Sequence, residues 1–156
     1  EMEKQFLVRK LKQTENIPYD LLLLADETKE AIDKYINASD IYVAESDDEM
    51  IAVYALYRVN NEEAEIKNIA VLPHLQNQGI GRWLLKDAES RAKTGGYRYL
   101  LIATADAGIR QLKLYQQCGF EMHEIRKNFI TDNFAEPIFE NGIQLKHMIV
   151  LRKEIE

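Results

Sequence analysis

The chain contains few of the residues that cross-link proteins or favour disorder. Its 156 residues include one cysteine, Cys118, three prolines and seven glycines. A single cysteine excludes an internal disulfide and a cysteine-rich zinc site, and it favours a reducing compartment. With 46% apolar and 29% charged residues, the composition also excludes wholesale disorder and a collagen-like fibre.

Long apolar runs and excess positive charge are missing too. No stretch approaches the roughly 18 apolar residues that a transmembrane helix needs. The first residues, Glu1 to Lys4, are not followed by the apolar core of a signal peptide. We therefore expect a cytoplasmic protein without a membrane partner. The net charge of −6 argues against nucleic acid as a partner, because such binding needs a basic surface.

The length suits one core, so we expect a single domain over residues 1–156. Hydrophobic periodicity and turn residues predict a mixed α/β fold. Residues 19–37 are predicted as one helix, or as two short helices with a break near 26–28. The other predicted elements are strands 4–11, 41–45, 50–59 and 64–72, helix 79–94, strand 97–104, helix 107–118 capped by Asp106, strand 119–128, loop 129–143 and strand 144–152.

Two supersecondary units follow from this order. Residues 41–72 read as an antiparallel meander of three strands. Strand 64–72, helix 79–94 and strand 97–104 form a βαβ unit, whose two strands are expected to be parallel.

The third meander strand shows a change in its alternation. Ala64 and Ile66 share one face, whereas the next apolar residues, Ile69 and Val71, have the opposite parity. A β-bulge at 67–68 would return them to the face of Ile66, and bulges often lie beside active sites. A strand buried on both faces would give the same pattern, so both interpretations stay open here.

The segment between this strand and the next helix predicts an anion site. Gly79 and Gly81 allow close approach to the backbone, and the helix N-terminus presents free amides and its dipole. Arg82 and Lys86 add positive charge. The segment is not a Walker loop, and Leu84 stands where a dinucleotide fingerprint needs a small residue. A tight turn with close helix packing is the alternative.

The wider segment resembles a known family. The run from Gln76 to Gly81, Gln-Asn-Gln-Gly-Ile-Gly, matches the Gln/Arg-x-x-Gly-x-Gly/Ala signature of the GNAT superfamily of N-acetyltransferases. The preceding Asn68-Ile69-Ala70-Val71-x-Pro73 also matches, and Leu114 to Phe120 resembles the family's Leu-Tyr-x-x-x-Gly-Phe segment. The resemblance implies six to seven mostly antiparallel strands with a splayed parallel pair, flanked by about four helices.

The resemblance further implies an acetyl-CoA-dependent N-acetyltransferase, in which a primary amine attacks the thioester directly within a ternary complex. Acetyl-CoA would lie between strands 64–72 and 97–104, with no metal, and three scattered histidines (His74, His123 and His147) show no ligand spacing. The implied cofactor contacts are the backbone of Ile69, Ala70 and Val71 for the pantetheine arm, and the amides of Gln76, Asn77, Gln78, Gly79, Ile80, Gly81 and Arg82 for the pyrophosphate.

Two catalytic residues are implied by the same resemblance. Tyr115 matches the family tyrosine that assists the leaving thiolate; the alternative is a helix tyrosine that packs on Leu112 or Cys118. Glu65 stands where the family often has a glutamate general base; the alternative is an exposed strand glutamate paired with Lys67.

One position departs from the family pattern. Gly108 stands where an asparagine often contacts the cofactor arm, seven residues before the tyrosine. Either that contact is lost or Thr104 or Asp106 replaces it. The departure keeps open a second hypothesis, a non-catalytic acyl-CoA-binding or sensor module. A third hypothesis is an interaction protein in which the glycine turn is only structural.

The acceptor side is expected to lie at residues 19–38 and 129–143. Both segments are acidic, which favours a small primary amine, or a lysine or N-terminal amine of a peptide, as acceptor. Members of the family often dimerise through their C-terminal strands, and the resemblance therefore also implies a homodimer. The acidic residues are Asp26, Glu27, Asp132, Glu136 and Glu140.

Overall fold

A computed structural model describes residues 6–156 of the chain. Residues 4 and 5 of the predicted first strand lie outside them. The described elements are β1 (Leu7–Lys10), α1 (Tyr19–Leu22), α2 (Lys29–Asp33), β2 (Ser39–Ser46), β3 (Glu49–Arg58), β4 (Glu63–Val71), α3 (Ile80–Thr94), β5 (Tyr99–Ala105), α4 (Ile109–Gln117), β6 (Glu121–Arg126), α5 (Phe129–Asn133), β7 (Phe139–Glu140), β8 (Ile143–Gln144) and β9 (Met148–Glu154).

The main sheet has seven strands in the order β1-β2-β3-β4-β5-β9-β6, and β7 and β8 form a separate hairpin. Strands β4 and β5 are parallel, and the other neighbours in this sheet are antiparallel. The mixed α/β fold, the meander and the parallel strand–helix–strand unit are therefore confirmed.

Helices cover both faces of the sheet because each presents an apolar side to it. Helix α3 buries Ile80, Leu84 and Ala88 against one face, and Tyr115 of α4 joins the same cluster. On the opposite face, α1 and α2 pack on β2, β3 and β4 through residues that include Leu22 and Ile32. Because successive side chains of β4 point to opposite faces of the sheet, they reach different helices.

The β-bulge in β4 is confirmed. Asn68 pairs with Ala55 and Ile66 pairs with Leu56, so Lys67 is the extra residue. As a result, Ile66 and Ile69 both pack in the α3 cluster, whereas Ala70 packs with α1 and α2. The change of parity in the sequence is the signature of this bulge.

The bulge lies where β4 and β5 separate. Their parallel register runs from Glu63 opposite Tyr99 to Ile66 opposite Ile102. Beyond that pair β4 continues to Val71 and β5 to Ala105 without pairing with each other. A gap therefore opens between two strands in the middle of the sheet.

Of the two alternatives for residues 19–37, the pair of short helices is confirmed, and the second helix is capped by Thr28, whose Oγ1 accepts a hydrogen bond from Ala31 N at 3.1 Å. Other predicted elements need correction. The predicted capping of α4 by Asp106 is wrong, because Gly108 precedes the helix and Asp106 Oδ1 accepts from Lys146 N at 3.1 Å. The predicted loop 129–143 contains α5 and most of the β7–β8 hairpin, and the last strand begins at Met148.

None of the helices within residues 6–156 combines the length and the apolar character needed to cross a membrane.

Candidate active site

The gap between β4 and β5 opens into a cleft of about 1110 Å³. The turn before α3 and the start of α4 line one end of the cleft. The segment between α1 and α2 and the helix α5 line the other end. Because the two ends differ in construction, we call them the donor end and the acceptor end.

The donor end is formed by backbone. Asn77 and Gly79 adopt left-handed conformations, with φ of 63° and 85°, and turn the chain into α3. Gly79 is the N-cap residue and no side chain caps the helix. Trp83 N donates to Gly79 O at 3.1 Å. The preceding amides, of residues 80–82, belong to a first helical turn, which has no intrahelical acceptors. They are available to an anion.

The two glycines leave open space in front of these amides. A Cβ added to Gly79 or Gly81 would meet no other atom of the described residues within 4 Å. The positive φ of Gly79 favours glycine at this position. Gly81 has neither a positive φ nor a close neighbour. The alternative in which Gly81 serves close helix packing is therefore wrong, and its missing side chain leaves room for a ligand.

Two arginines flank the donor end. Arg82 donates to the Gln117 side chain and, at 3.8 Å, to Cys118 Sγ. Arg110 donates to Asn77 Oδ1 at 2.5 Å and so connects the start of α4 to the turn. Sequence reasoning missed Arg110; an arginine in the first turn of the helix after β5 was the available signal. Both arginines line the cleft, as a phosphate-bearing ligand requires.

The free edge of β4 faces the gap. Leu72 N donates to Ile51 O at 2.9 Å, toward β3. Because backbone groups alternate along a strand, Ile69 and Val71 direct theirs toward the gap and Ala70 directs its own toward β3. Gln76 Nε2 donates to Val71 O at 3.1 Å, and Gln78 Nε2 donates to His74 O at 3.3 Å. These two side chains brace the turn beside the free edge.

Tyr115 packs in the core and also lines the cleft. Its side chain is buried, and its ring lies 6.2 Å from that of Phe120. Burial, with a smaller contribution from nearby Cys118, raises the pKa of Tyr115 to about 12. The phenol is therefore protonated throughout the physiological range and can act as a hydrogen-bond donor.

Glu65 is buried at the acceptor end, with 2% of its surface exposed. Arg126 of β6 donates to both carboxylate oxygens, at 2.8 and 3.2 Å, and Lys67 Nζ lies 3.5 Å from Oε2. The alternative of an exposed strand glutamate is wrong, although its predicted partner, Lys67, is present. The bond to Glu65 is the main reason that the pKa of Arg126 is raised.

Gly108 has a packing explanation. A Cβ at this position would lie 2.5 Å from Thr104 Oγ1 and 3.1 Å from Ala105 O. Thr104 thus occupies the space that an asparagine side chain would need, and it lines the cleft. Asp106 hydrogen-bonds to Lys146 N. Of the two replacements considered for the missing asparagine, Thr104 is the one that lines the cleft.

A buried network joins the bulge to the cover of the acceptor end. Asn68 Nδ2 donates to Leu22 O and to Tyr35 Oη, both at 3.0 Å, and Tyr35 Oη donates to Asp26 Oδ2 at 2.9 Å. Burial is the main cause of a raised pKa for Tyr35. Among the described residues, Asn68 Oδ1 has no hydrogen-bond partner. Asn68 is 46 positions from Leu22 and 33 from Tyr35, so no local pattern predicts the network.

Charge at the mouth of the acceptor end is mixed. Asp26, Glu27 and Glu140 line the cleft, whereas Asp132 and Glu136 do not. Lys34 Nζ of one wall donates to Asn133 Oδ1 of the other at 3.0 Å. Apolar side chains fill the space between the charges, among them Leu23, Leu24, Phe129, Phe134, Ile138 and Met148.

Histidine and acidic side chains show no metal-binding arrangement in residues 6–156, where no group of three or more His, Cys, Asp or Glu could hold an ion. His147 Nδ1 accepts a hydrogen bond from Asn128 N at 2.8 Å, which gives it a local structural role.

Known proteins resemble this chain in sequence and in architecture. Residues 8–120 match the model of the acetyltransferase (GNAT) family. The uncharacterized N-acetyltransferase YvbK of Bacillus subtilis is 42% identical over 139 residues, 89% of this chain and 90% of that protein.

Two solved structures extend the comparison. A GNAT family acetyltransferase from Elizabethkingia anophelis, with acetyl-CoA bound, is 46% identical, with a TM-score of 0.94 over 98% of this chain and 99% of the other. An acetyltransferase from Bacillus subtilis in complex with CoA is 38% identical, with a TM-score of 0.90 over 97% and 100%. The chain therefore belongs to the GNAT family of acetyltransferases.

Proposed function

We propose that the protein transfers an acetyl group from acetyl-CoA to a primary amine by direct attack within a ternary complex. One observation carries the proposal: the split between β4 and β5 leads to an uncapped helix start, in front of which two glycines leave open space. Relatives that share this fold hold acetyl-CoA or CoA. No metal takes part in the proposed reaction.

The donor end offers matching groups along the length of acetyl-CoA. We assign the pyrophosphate to the amides of residues 76–82, with positive charge from Arg82 and Arg110. The pantetheine arm would extend the sheet at the free edge of β4, along Ile69, Ala70 and Val71. This edge presents backbone groups in the manner of strand addition.

The reaction forms a bond between the amine nitrogen and the acetyl carbonyl carbon and breaks the carbon–sulfur bond. The amine loses a proton and CoA leaves as a thiolate, which is then protonated. We assign stabilisation of the developing oxyanion to the backbone N–H of Ile69 or Val71, the two that face the gap. Tyr115, with its pKa of about 12, is a weaker acid than a thiol, whose pKa is about 8.5. Its role is therefore to donate a hydrogen bond to the leaving sulfur.

An alkylammonium has a pKa near 10, so the amine must lose a proton before it attacks. Glu65 is the proposed general base. Each of its two oxygens accepts a hydrogen bond from Arg126 and keeps a further lone pair. Glu65 can therefore take the amine proton at a remaining lone pair, directly or through a water, without losing either bond to Arg126.

The wider assignments are also proposals. The continuous main sheet supports one acetyltransferase domain over residues 1–156. The edge strand β6 exposes Met122 and Ile125, which supports a homodimer through this strand. A cytoplasmic location rests on the single cysteine.

The first test is a thermal-shift titration with acetyl-CoA, with NADH and ATP as controls. At 100 times the dissociation constant, binding stabilises the protein by about 2.7 kcal/mol, which raises Tm by roughly 5–10 °C. Turnover is then measured as thiol release with a panel of primary amines, and the product mass is determined. Binding without transfer to any amine would favour the acyl-CoA-binding module, and no saturable shift would contradict both.

A further inference from the structure

The acceptor end contains more positive charge than its buried carboxylate can neutralise. We propose that the acceptor amine carries a carboxylate, bound by Lys67 and Arg126 beside the splitting point of β4 and β5. The inference rests on the proposed N-acetyltransferase function and narrows its substrate class to amines that also bear a carboxylate.

The first step is a balance of charge around Glu65. Its side chain is 3% exposed, whereas those of Lys67 and Arg126 are 24% and 29% exposed. One buried carboxylate lies between two cations, and the other carboxylate that acts on Arg126, Glu124, is exposed, so one positive charge remains without a buried partner. A half-buried charge is costly in free energy unless an opposite charge lies beside it, and the partner missing here is an anion.

The second step is accessibility. Arg126 uses Nη1 and Nη2 for Glu65, and a guanidinium has five N–H donors, so some remain for another acceptor. Lys67 Nζ lies over the Tyr57 ring, 5.1 Å from its centroid, and Tyr57 also lines the cleft. Glu65, Lys67 and Arg126 all line the cleft. A ligand can therefore reach the excess charge without breaking the buried ion pair.

The third step is position. Glu65 and Ile66 have opposite parity on β4, so Glu65 points to the face away from α3. Lys67 is the bulged residue, directly after the last pair of β4 with β5. A carboxylate held there lies next to the proposed reaction centre, and an amine a few bonds away can reach it.

The acidic residues at the mouth do not cancel this charge. Asp26 is engaged by Tyr35, and Glu27 and Glu140 are exposed. Water and salt screen exposed charges strongly, whereas the side chains around Glu65 are shielded from both. The shielded cations therefore decide which charge the bound part of the acceptor carries.

The test compares two acceptors with the same amine, 4-(aminomethyl)benzoate and 4-(aminomethyl)benzamide. With the wild-type protein, we expect kcat/KM for the carboxylate to exceed that for the amide by at least 10-fold. Lys67→Met should abolish this preference by raising KM for the carboxylate and not for the amide, with the acetyl-CoA dissociation constant nearly unchanged; an effect on kcat through the neighbouring Glu65 would be the same for both acceptors. Lys67→Arg should retain it.

Lys127→Met is the matched control, because Lys127 is an exposed neighbour of Arg126 that does not line the cleft. It should leave the preference intact. Equal acetylation of the two compounds by the wild type, or equal losses for both in Lys67→Met, would overturn the inference while the acetyltransferase function stands. Absence of acetylation of every amine, with acetyl-CoA bound, would overturn the proposed function itself.

Discussion

The two ends of the cleft are built in different ways. The donor end is built mainly from consecutive residues, 69–82, which present backbone groups to the gap and at the start of α3, with the start of α4 beside them. The acceptor end consists of side chains that meet from distant segments, such as Glu65 and Arg126, which are 61 positions apart. Backbone amides, which do not depend on side-chain identity, suit a ligand that stays the same between relatives, such as the acetyl-CoA or CoA held by two of them, whereas converging side chains can change without disturbing the donor end.

Their electrostatics differ as well. Near the turn before α3, Arg82 and Arg110 are exposed and no acidic side chain lines the cleft beside them. At the acceptor end, Glu65 is buried between two cations. Changes at the donor end should therefore alter cofactor binding with little effect on folding, whereas changes at Glu65 should alter both.

The largest expected effect is that of Gly81→Asp. A carboxylate in the space in front of the first-turn amides would repel a pyrophosphate, and we expect acetyl-CoA to bind about 100- to 1000-fold more weakly. The same charge lies near the positive end of the helix dipole, so the free energy of unfolding should stay level or rise by about 0.3–1 kcal/mol.

Calorimetric titration and denaturant unfolding measure the two quantities separately. Gly81→Asn, which has the same shape without the charge, is the control, and it should lose less affinity than Gly81→Asp. A large loss of stability in Gly81→Asp would show that glycine is needed for packing, contrary to the open space around it.

The donor end could be predicted from the sequence because its signals are local. The glycines, the helix start and the flanking strand lie within fourteen consecutive residues, 69–82, and the parity change marks the bulge. Arg110 was missed because it reaches the turn from another helix. The partners of Glu65 and Asn68 were missed for the same reason, apart from Lys67, which is two residues away.

Short elements were the weakest part of the fold prediction. Helix α5 has five residues and β7 and β8 have two each, which is too short for a hydrophobic period to show. Tertiary contacts hold them, since Ile130 and Leu145 pack with Ala107. Asp106 looked like a cap because aspartate is favoured at that position, but its carboxylate instead binds the backbone of Lys146.

Next in size is Glu65→Gln, which tests the acceptor end. If Glu65 is the general base, kcat should fall about 100-fold at pH 7 with acetyl-CoA affinity unchanged. The difference in kcat between Glu65→Gln and the wild type should narrow as the pH approaches 10, because the amine in solution then loses its proton without help from the enzyme. Loss of the buried carboxylate should also lower the free energy of unfolding by about 1–3 kcal/mol.

A pH–rate profile of both proteins decides the role of Glu65. If the ratio of the two kcat values stays constant from pH 7 to 10, Glu65 positions Arg126 and Lys67 and does not accept the proton. Glu63→Gln, two residues earlier on β4 and absent from the lining of the cleft, is the matched control and should leave kcat nearly unchanged.

Tyr115→Phe should have a smaller effect, a fall in kcat of about 10-fold, because one hydrogen bond to the leaving sulfur is lost. It also changes the pH dependence of stability. Burial raises the pKa of Tyr115 from 10 to about 12, so the folded state holds this proton more tightly than the unfolded chain. This preference for the protonated phenol stabilises the fold by on the order of 3 kcal/mol, is complete below pH 10 and is lost as the pH rises to 12.

Denaturant unfolding at pH 9, 10 and 11 compares the wild type with Tyr115→Phe. The variant should lose stability less steeply above pH 10, because it has no phenol to ionise. Tyr97→Phe, in a residue outside the cleft lining, is the control for the general effect of removing a hydroxyl. Parallel slopes for the wild type and Tyr115→Phe would contradict a buried, protonated Tyr115.

The smallest expected effect tests whether the two ends are independent. Thr28→Ala removes the cap of α2, whose Ile32 packs over the sheet next to the acceptor end. The expected loss of stability is about 1 kcal/mol. Asp26 precedes α2 and Tyr35 follows it, and the two are hydrogen-bonded to each other beside the acceptor end, so KM for the amine should rise about 2- to 3-fold, a change of well under 1 kcal/mol in binding. Thr28→Ser, which keeps the hydroxyl, should restore both values.

The acetyl-CoA affinity should stay the same in both variants, because the donor end is built mainly from the turn before α3. A parallel loss of acetyl-CoA affinity in Thr28→Ala would show that the segments covering the acceptor end also hold the donor end in place.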